Sequence, residues 1–310
     1  MYKQSFKKRV LFVGVPDMAY VCLDGLHMSG VNIVGVLGAK KEHPTYDSFK
    51  QFAQLRKLNF IDYETLDDTF FINKIRNLQA DIAVVCSFNH KIPQIFLDSV
   101  KDGFINVHPS LLPKYRGANP YSAVIINDEK ETGVTLHFMD ENFDTGDIIS
   151  QKKIAISKIE TMGTLFNRLN MLAFNMLLET LKQYEVSELK GKKQPEGIFI
   201  KGKVINEDLS LIDYEKTAKE IERFIRALNP FFIATTEFRD NIVKIFAAET
   251  TNEKSKEDTG TIVKIDNDKF YITTKDGLLA PTVLQFGSFF VGTPKDFINI
   301  LNPQIGEKFV

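Results

Sequence analysis

The sequence has few of the features that mark disulfide-bonded or membrane-inserted proteins. It contains two cysteines, Cys22 and Cys86, and because both sit in apolar runs we expect small buried side chains rather than a disulfide. No apolar run approaches the roughly 18 residues of a membrane span. The N-terminal MYKQSFKKRVLFVGV is basic, but its apolar run is too short for a secretory signal and no small-residue cleavage site follows. We expect a cytoplasmic protein with no membrane partner.

Net charge is also small. The chain has 39 Lys and Arg against 40 Asp and Glu, a balance of −1, which gives no global electrostatic case for nucleic acid and leaves a local basic groove possible. Hydrophobic residues make up 44% and charged residues 25%, as in ordinary globular proteins. A length of 310 residues suggests one large domain or two smaller ones.

Several catalytic motifs are missing. The turn after the first apolar run is GVPDMA, without the glycine pattern of dinucleotide-binding folds, and no phosphate-binding P-loop is present. A serine hydrolase would show G-x-S-x-G, which is absent. The histidines show no ligand-like spacing, so we expect no metal; they are His27, His43, His90, His108 and His137.

The remaining pattern alternates short apolar runs with helical segments. It predicts an α/β fold with a doubly wound, Rossmann-like, mostly parallel sheet. Ligands of such sheets bind beyond the carboxyl ends of the strands. We predict strands at 9–15, 31–38, 58–62, 81–87, 103–108, 131–140 and 146–156, and helices at 18–30, 46–57, 67–80 and 161–184.

Composition changes after residue 187, where a Gly- and Lys-rich segment with a proline begins. We predict a first domain over 1–187, a linker over 188–204 and a β-rich C-terminal domain over 205–310. The last contains a helical segment at 213–230, short strand-like runs typical of a small sandwich or open barrel, and a final helix at 294–301.

Polar side chains interrupt the apolar strand in FINVHPSLLPKYRG, residues 104–117. Asn106 and His108 are two residues apart, so on a strand they point to one face. An amide N–H and an imidazole there can both reach a developing oxyanion. Asp144, in the turn-rich ENFDTGD, can fix the imidazole tautomer or take a proton from an attacking amine. Spacing alone leaves acyl transfer and a satisfied strand-end histidine with a turn-forming aspartate equally open.

Longer stretches decide between these hypotheses. FINVHPSLLPKYRGANP, ETGVTLHFMDENFDTGDII and the opening LFVGVPDMAYVCLDGL together resemble the formyltransferases that use 10-formyltetrahydrofolate. IDYEKTAKEIERFIRALNPFFIATTEF resembles the start of that family's second, open barrel-like domain. The resemblance implies an enzyme that moves a formyl group to an amine, with Asn106 and His108 stabilising the oxyanion and Asp144 orienting His108 and managing the amine proton.

The same resemblance implies where the two substrates lie. The folate co-substrate would lie against CSFNHKIP, residues 86–93, which matches the family's pterin-pocket loop; the implied contacts are Ser87, Phe88, Asn89, Ile92 and Pro93. The segment after His108, with Leu111, Leu112 and Pro113, shapes the site. Expected acceptor contacts are Ser110, Arg116, Gly117 and Tyr121, the last equally suited to core packing.

The acceptor amine is harder to assign. Methionyl-tRNA formyltransferases usually carry a basic glycine–arginine loop where this chain has VLGAKKEHPTYDSFKQFAQL, and the opening and the small net charge also favour an amino-sugar nucleotide. Against this, the C-terminal domain has the length of a tRNA enzyme. We therefore expect an amino-sugar nucleotide acceptor, with initiator methionyl-tRNA as the alternative. A formyltetrahydrofolate hydrolase, a non-catalytic folate- or nucleotide-binding module and a homodimer also stay open.

Overall fold

A computed structural model describes residues 6–16, 18–88, 90–196, 210–287 and 290–310. The prediction for Asn89 and the second half of the predicted linker fall outside these residues. The chain divides into two compact units. The first holds the described residues up to 120 together with 131–155 and 167–196; the second holds 121–130, 156–166 and the described residues from 210 onward.

A seven-stranded sheet forms the centre of the first unit. Its order is β3-β2-β1-β4-β5-β6-β7; strands β1 to β5 run parallel, and β6 and β7 are antiparallel additions at one edge. The predicted doubly wound, mostly parallel sheet is confirmed. The strands are β1 Arg9–Gly14, β2 Asn32–Leu37, β3 Phe60–Ile61, β4 Ile82–Cys86, β5 Phe104–His108, β6 Glu131–Phe138 and β7 Ile148–Ala155.

Strand β3 is shorter than the predicted 58–62. Only Phe60 and Ile61 pair with β2. The next residue, Asp62, directs its carboxylate to the Tyr46 hydroxyl at 2.5 Å and to the Lys50 ammonium at 3.0 Å. The inner strands agree with their apolar sequences, since every residue of β4 is buried. Cys22 and Cys86 are both buried and unbridged, as expected.

The described residues before position 190 form six helices: α1 Met18–Met28, α2 Tyr46–Leu55, α3 Thr69–Asn77, α4 Gln94–Leu97, α5 Pro120–Ile126 and α6 Met162–Tyr184. Helix α1 ends before Gly30, whose φ of +79° suits the predicted C-terminal glycine. Helix α3 begins after Asp68, which accepts the Phe71 N–H at 2.8 Å. Among the described residues, no helix combines the length and the apolar character needed to cross a membrane.

An antiparallel sheet dominates the second unit. Its order is β10-β11-β12-β9-β8, with β13 paired to β12. Phe309 bridges to Phe238 of β8, and Lys308 bridges to Thr261 next to β10, so the last residues join the two ends of the sheet and confirm the barrel-like prediction. The elements are α7 Ala218–Leu228, β8 Ala234–Phe238, β9 Asn241–Thr251, β10 Ile262–Ile265, β11 Phe270–Thr273, β12 Leu278–Phe286, β13 Phe290–Gly292 and α8 Pro294–Leu301.

Helix α7 begins five residues later than predicted. Thr217 accepts the Glu220 N–H, and Glu220 accepts the Thr217 N–H at 2.8 Å, a capping box that fixes the start at Ala218. Helix α8 occupies the predicted residues, and its Phe297 is fully buried in the aromatic core of the barrel.

Candidate active site

Strand β5 presents both predicted catalytic residues at its carboxyl end. Asn106 pairs with His137 and His108 with Thr135 across the antiparallel β5–β6 register. Asn106 is half-buried, whereas His108 is 5% exposed. Both side chains face the carboxylate of Asp144. They therefore lie on the same face of the sheet, as their spacing of two residues predicts.

The loop between β6 and β7 delivers Asp144. Asp140 accepts the Asn142 N–H at 2.9 Å and the Thr145 hydroxyl at 2.6 Å, which closes the turn. Asp144 has a φ of +56°, a left-handed conformation that aspartate tolerates better than most residues. A Cβ on Gly146 would lie 1.8 Å from the Phe138 carbonyl oxygen. The DTGD sequence therefore suits a tight turn that aims one carboxylate at β5.

The carboxylate of Asp144 is the centre of a polar network. Its Oδ1 accepts from Asn106 Nδ2 at 3.0 Å and lies 3.4 Å from His137 Nε2. Its Oδ2 accepts from the Gly117 N–H at 2.8 Å and lies 3.5 Å from His108 Nδ1. Every group that the sequence predicted for catalysis therefore touches this one acid.

His137 belongs to the network and was missed by the sequence reasoning. Its Nδ1 lies 2.7 Å from the Phe138 carbonyl oxygen and must donate there. A neutral ring then leaves Nε2 as an acceptor for Asn106 Nδ2, 3.1 Å away. With its other hydrogen on Asp144, the Asn106 amide donates both hydrogens within this arrangement. The signal that identifies His137 is its cross-strand pairing with Asn106.

The tautomer of His108 follows from its surroundings. Nε2 lies 2.8 Å from the Tyr115 carbonyl oxygen, so it carries the proton, and a neutral ring has its Nδ1 lone pair toward Asp144. Burial lowers the pKa of His108 below its ordinary value, and the negative charge of Asp144 offsets this effect only in part. His108 is therefore neutral near pH 7.

Asp144 is held as a carboxylate. Burial alone would raise its pKa, but attraction to the His108 ring and a hydrogen bond with the His137 ring when these are protonated, together with the Gly117 N–H, outweigh burial and lower it well below the ordinary value. An ionised acid next to a half-buried amide and two imidazoles can accept a proton from a nucleophile and restrain the groups that would face a carbonyl.

The residues predicted to contact the acceptor have different locations. Ser110 is fully buried and donates to the Lys114 carbonyl at 2.7 Å, so it holds the loop after β5. Arg116 is half-buried and donates to Gln194, and the Gly117 N–H donates to Asp144. Tyr121 lies in the second unit, 8% exposed, with its ring 5.1 Å from that of Phe166.

The predicted folate loop follows β4 at the same edge of the sheet. Ser87 is exposed with a φ of +55°, and the half-buried Phe88 meets His90 edge to face at 5.5 Å. Ile92 is buried in the core, and Pro93 caps helix α4. The loop has the apolar ring and the turn that a flat heteroaromatic group would need. Within the described ranges, no group of three or more His, Cys, Asp or Glu could hold a metal ion.

Comparison with known proteins assigns the family. The model of the family described as formyl transferase matches residues 8–181, and that of the formyl transferase C-terminal domain matches residues 204–302. The chain belongs to the formyltransferase family. It is an enzyme of that folate-dependent class, as the resemblance implied.

Individual relatives cover most of the chain. It is 34% identical over 277 residues to a methionyl-tRNA formyltransferase of Clostridioides difficile, covering 87% of this chain and 90% of the relative. A methionyl-tRNA formyltransferase of Fusobacterium nucleatum is 30% identical, over 97% of this chain and 99% of its own. Among solved structures, a sugar 3N-formyl transferase, WlaRD, crystallised with dTDP and 5-N-formyl-THF, has 25% identity and a TM-score of 0.68, covering 91% of this chain and 99% of that one.

These relatives contradict the predicted acceptor. The expectation of an amino-sugar nucleotide is wrong, because relatives at 30–34% identity over most of the chain bear the name methionyl-tRNA formyltransferase. The small net charge of the chain was a poor argument against a tRNA acceptor, because phosphate binding depends on where Lys and Arg cluster and not on the total charge. The shared fold of the sugar enzyme does not distinguish the two acceptors.

Proposed function

We propose that this formyltransferase moves a formyl group from 10-formyltetrahydrofolate to the α-amino group of initiator methionyl-tRNA. The observation that carries the proposal is the likeness to methionyl-tRNA formyltransferases over both parts of the chain, 97% of it in one case. The network around Asp144 supports the same chemistry, because it supplies an amide, an imidazole and an ionised acid at one edge of the sheet.

The co-substrate supplies the formyl carbon, which becomes bonded to the acceptor nitrogen as its bond to N10 of the folate breaks. Ser87, Phe88, Asn89, Ile92 and Pro93 are the proposed folate contacts. Phe88 offers an aromatic face for the pterin, and the turn at Ser87 offers backbone polar groups for its edges.

Asn106 is the proposed donor to the formyl oxygen as negative charge develops on it. Both of its amide hydrogens are already donated, to Asp144 and His137, so one of them must leave its present acceptor for the formyl oxygen. A donor of this kind is typically worth about 10²–10³ in rate. His108 lies two positions further along the same face of β5. To donate to the same oxygen, its Nε2–H must leave the Tyr115 carbonyl, to which it now donates over 2.8 Å.

Asp144 is the proposed proton acceptor. The attacking amine loses one proton as its nitrogen binds the formyl carbon, and the departing N10 gains one. An ionised carboxylate whose side chain is 10% exposed and accepts hydrogen bonds from Gly117 and Asn106 can hold that proton between the two events. The other oxygen, Oδ2, lies 3.5 Å from the unprotonated Nδ1 of His108, which can accept a hydrogen bond from the acid once that oxygen carries the proton.

Local charge supports a tRNA acceptor despite the overall balance. Lys190, Lys192 and Lys193 are all exposed on the segment that leads to Gln194, which itself touches the Asp144 loop. Three ammonium groups near the site favour the phosphates of a nucleic acid end. Arg116 and Gly117 stay proposed acceptor-side residues, since they lie next to the same segment through the bonds from Arg116 to Gln194 and from the Gly117 N–H to Asp144.

The deciding experiment supplies one acceptor at a time. Purified protein is incubated with 10-formyltetrahydrofolate and initiator methionyl-tRNA, an amino-sugar nucleotide or no acceptor, and tetrahydrofolate release and formyl-methionyl-tRNA are both measured. We expect turnover with methionyl-tRNA alone. Turnover with the sugar nucleotide alone would overturn the proposal, and release of formate without an acceptor would indicate a hydrolase. Asn106→Ala in the same assay tests the proposed oxyanion donor.

A further inference from the structure

Gln194 bridges the two loops that build the candidate site. Its Nε2 donates to the carbonyl oxygens of Asp144, at 2.8 Å, and of Gly146, at 2.9 Å. Its Oε1 accepts from Arg116, at 2.6 Å from Nη2 and 3.2 Å from Nε. One side-chain amide therefore uses both of its hydrogens on the loop of Asp144 and its oxygen on the loop after β5.

The backbone holds Gln194 in this place. Lys192 pairs with Ile148 at the start of β7 through two hydrogen bonds of 2.8 Å. Gly191 lies so close to the β6–β7 loop that a Cβ would be 2.5 Å from the Cβ of Asp147. Residues 191–194, part of the segment predicted as a linker, thus pair with β7 and the β6–β7 loop within the first unit.

The contacts of Gln194 matter because of the conformation they hold. Asp144 has a φ of +56°, an unfavourable region for a residue with a Cβ, and such a conformation persists only where neighbours determine it. Gln194 donates hydrogen bonds to the carbonyl oxygens of Asp144 and Gly146, the residues on either side of Thr145 in this turn. The carboxylate then reaches the Gly117 N–H, next to Arg116, so the two loops are joined a second time.

We propose that Gln194 is a positioning residue for formyl transfer, which sets the Asp144 carboxylate against Asn106 and His108 by fixing the turn at Asp144 and Gly146. It does not touch the reacting atoms in this role. The inference rests on the formyl transfer proposed above only in the choice of assay. Misplacement of a catalytic group by about 1 Å can cost about 10²-fold in rate, which is the size of effect to expect.

Two substitutions separate the contacts. Gln194→Ala removes all four hydrogen bonds. Gln194→Glu keeps an oxygen for Arg116 but has no N–H for the Asp144 and Gly146 carbonyls once it is ionised. Glu196→Ala is the matched control, because Glu196 is an exposed residue of the same segment. Circular dichroism and thermal unfolding establish that each variant is folded.

We expect Gln194→Ala and Gln194→Glu each to lower kcat for methionyl-tRNA formylation about 10²-fold, with the KM for 10-formyltetrahydrofolate within about twofold of wild type. Glu196→Ala should match wild type. A Gln194→Glu variant with wild-type kcat would overturn the proposal, since the Arg116 contact alone would then suffice. Wild-type kcat in Gln194→Ala would overturn it as well.

A second measurement is independent of the acceptor. The ring signals of His108 and His137, which face Asp144, are followed by NMR in each variant. They should shift in Gln194→Ala and Gln194→Glu and stay in place in Glu196→Ala. Unchanged signals in Gln194→Ala would overturn the inference even if methionyl-tRNA proved not to be the acceptor, whereas failure of the wild-type enzyme to formylate methionyl-tRNA would overturn only the proposed function.

Discussion

The amide of Asn106 donates a hydrogen to Oδ1 of Asp144 over 3.0 Å, which joins a strand residue to an acid 38 positions further along the chain. The bond brings together the two polar motifs of the sequence. The same bond holds the Asp144 carboxylate in place in the absence of substrate. The role proposed for Asp144 as a proton acceptor depends on its charge and not only on its shape.

Replacing that charge gives the first prediction. Asp144→Asn keeps the size of the side chain but cannot accept the amine proton, so kcat should fall by about 10²–10⁴, with little change in the KM for 10-formyltetrahydrofolate. Glu141→Gln, an exposed substitution in the same loop, should leave kcat unchanged. Steady-state formylation kinetics provide the measurement. An Asp144→Asn variant within fivefold of wild type would remove the acid from the mechanism.

His137 gives the second prediction. Its ring is 1% exposed and links Asn106 to the Phe138 carbonyl. His137→Phe preserves the ring volume but leaves both partners without their hydrogen bonds, at a cost of about 1–3 kcal/mol in the free energy of unfolding. Urea denaturation measures that loss.

A double-mutant cycle shows whether His137 acts through Asn106. The effects on kcat of His137→Phe and Asn106→Ala should not add, because the first substitution disturbs the group that the second removes. Additive effects would show that the two residues act separately. For two independent sites, the changes in activation free energy of the single variants usually sum to that of the double variant. That sum is the value against which the double variant is compared.

Much of the fold could be predicted because it depends on local patterns. Alternation of apolar runs and helices is enough for the parallel sheet, and period-two geometry is enough to place Asn106 and His108 on one face. The position of α8 follows from its proline and its apolar spacing. The Thr217–Glu220 box was a usable signal for the start of α7 that the sequence reasoning overlooked.

The missed site residues depend on tertiary geometry. His137 joins the site through the β5–β6 register, which places it opposite Asn106. Gln194 reaches the Asp144 carbonyl from 50 positions away, inside a Gly- and Lys-rich stretch that locally resembles a connection. Neither the register nor the pairing of Lys192 with Ile148 is specified by nearby sequence, since both follow from how the edge strands assemble.

The third prediction concerns pH. Burial lowers the pKa of His108 below 6.5, so the unfolded chain binds this proton at a higher pH than the folded protein. The corresponding stability is present above about pH 6.5 and is lost as the pH falls from there toward the folded pKa, at up to about 1.4 kcal/mol per pH unit. The lowered pKa of Asp144 acts only below its ordinary value of 3.8.

The test compares wild type with His108→Gln by urea denaturation at about pH 7.5 and about pH 5.5. Wild type should lose more unfolding free energy between the two than the variant does. Burial also lowers the pKa of His90. This contribution is the same in wild type and in the variant, so the difference between the two proteins reports on His108 alone. Equal losses would show that His108 takes up its proton normally in the folded protein.

The closure of the C-terminal barrel gives the fourth prediction. Phe309 is 1% exposed; its ring stacks on Phe270, with centroids 5.8 Å apart, and packs at a tilt against Phe238, with centroids 4.7 Å apart. Its N–H donates to the Gly260 carbonyl at 2.8 Å. Phe309→Ala should therefore cost about 3–5 kcal/mol in the unfolding of this unit.

The neighbouring residue is a close control for that substitution. Val310 is 69% exposed and forms all its hydrogen bonds through its backbone, two with Glu237 and one accepted from the Thr236 hydroxyl, so Val310→Ala should change the unfolding free energy by no more than about 0.5 kcal/mol. Both variants keep the backbone pairing of the last residues, and only Phe309→Ala removes a ring from the aromatic core. Chemical denaturation should then show an earlier transition for Phe309→Ala alone. If both variants unfold together with wild type, the final residues lie along the sheet without holding it closed.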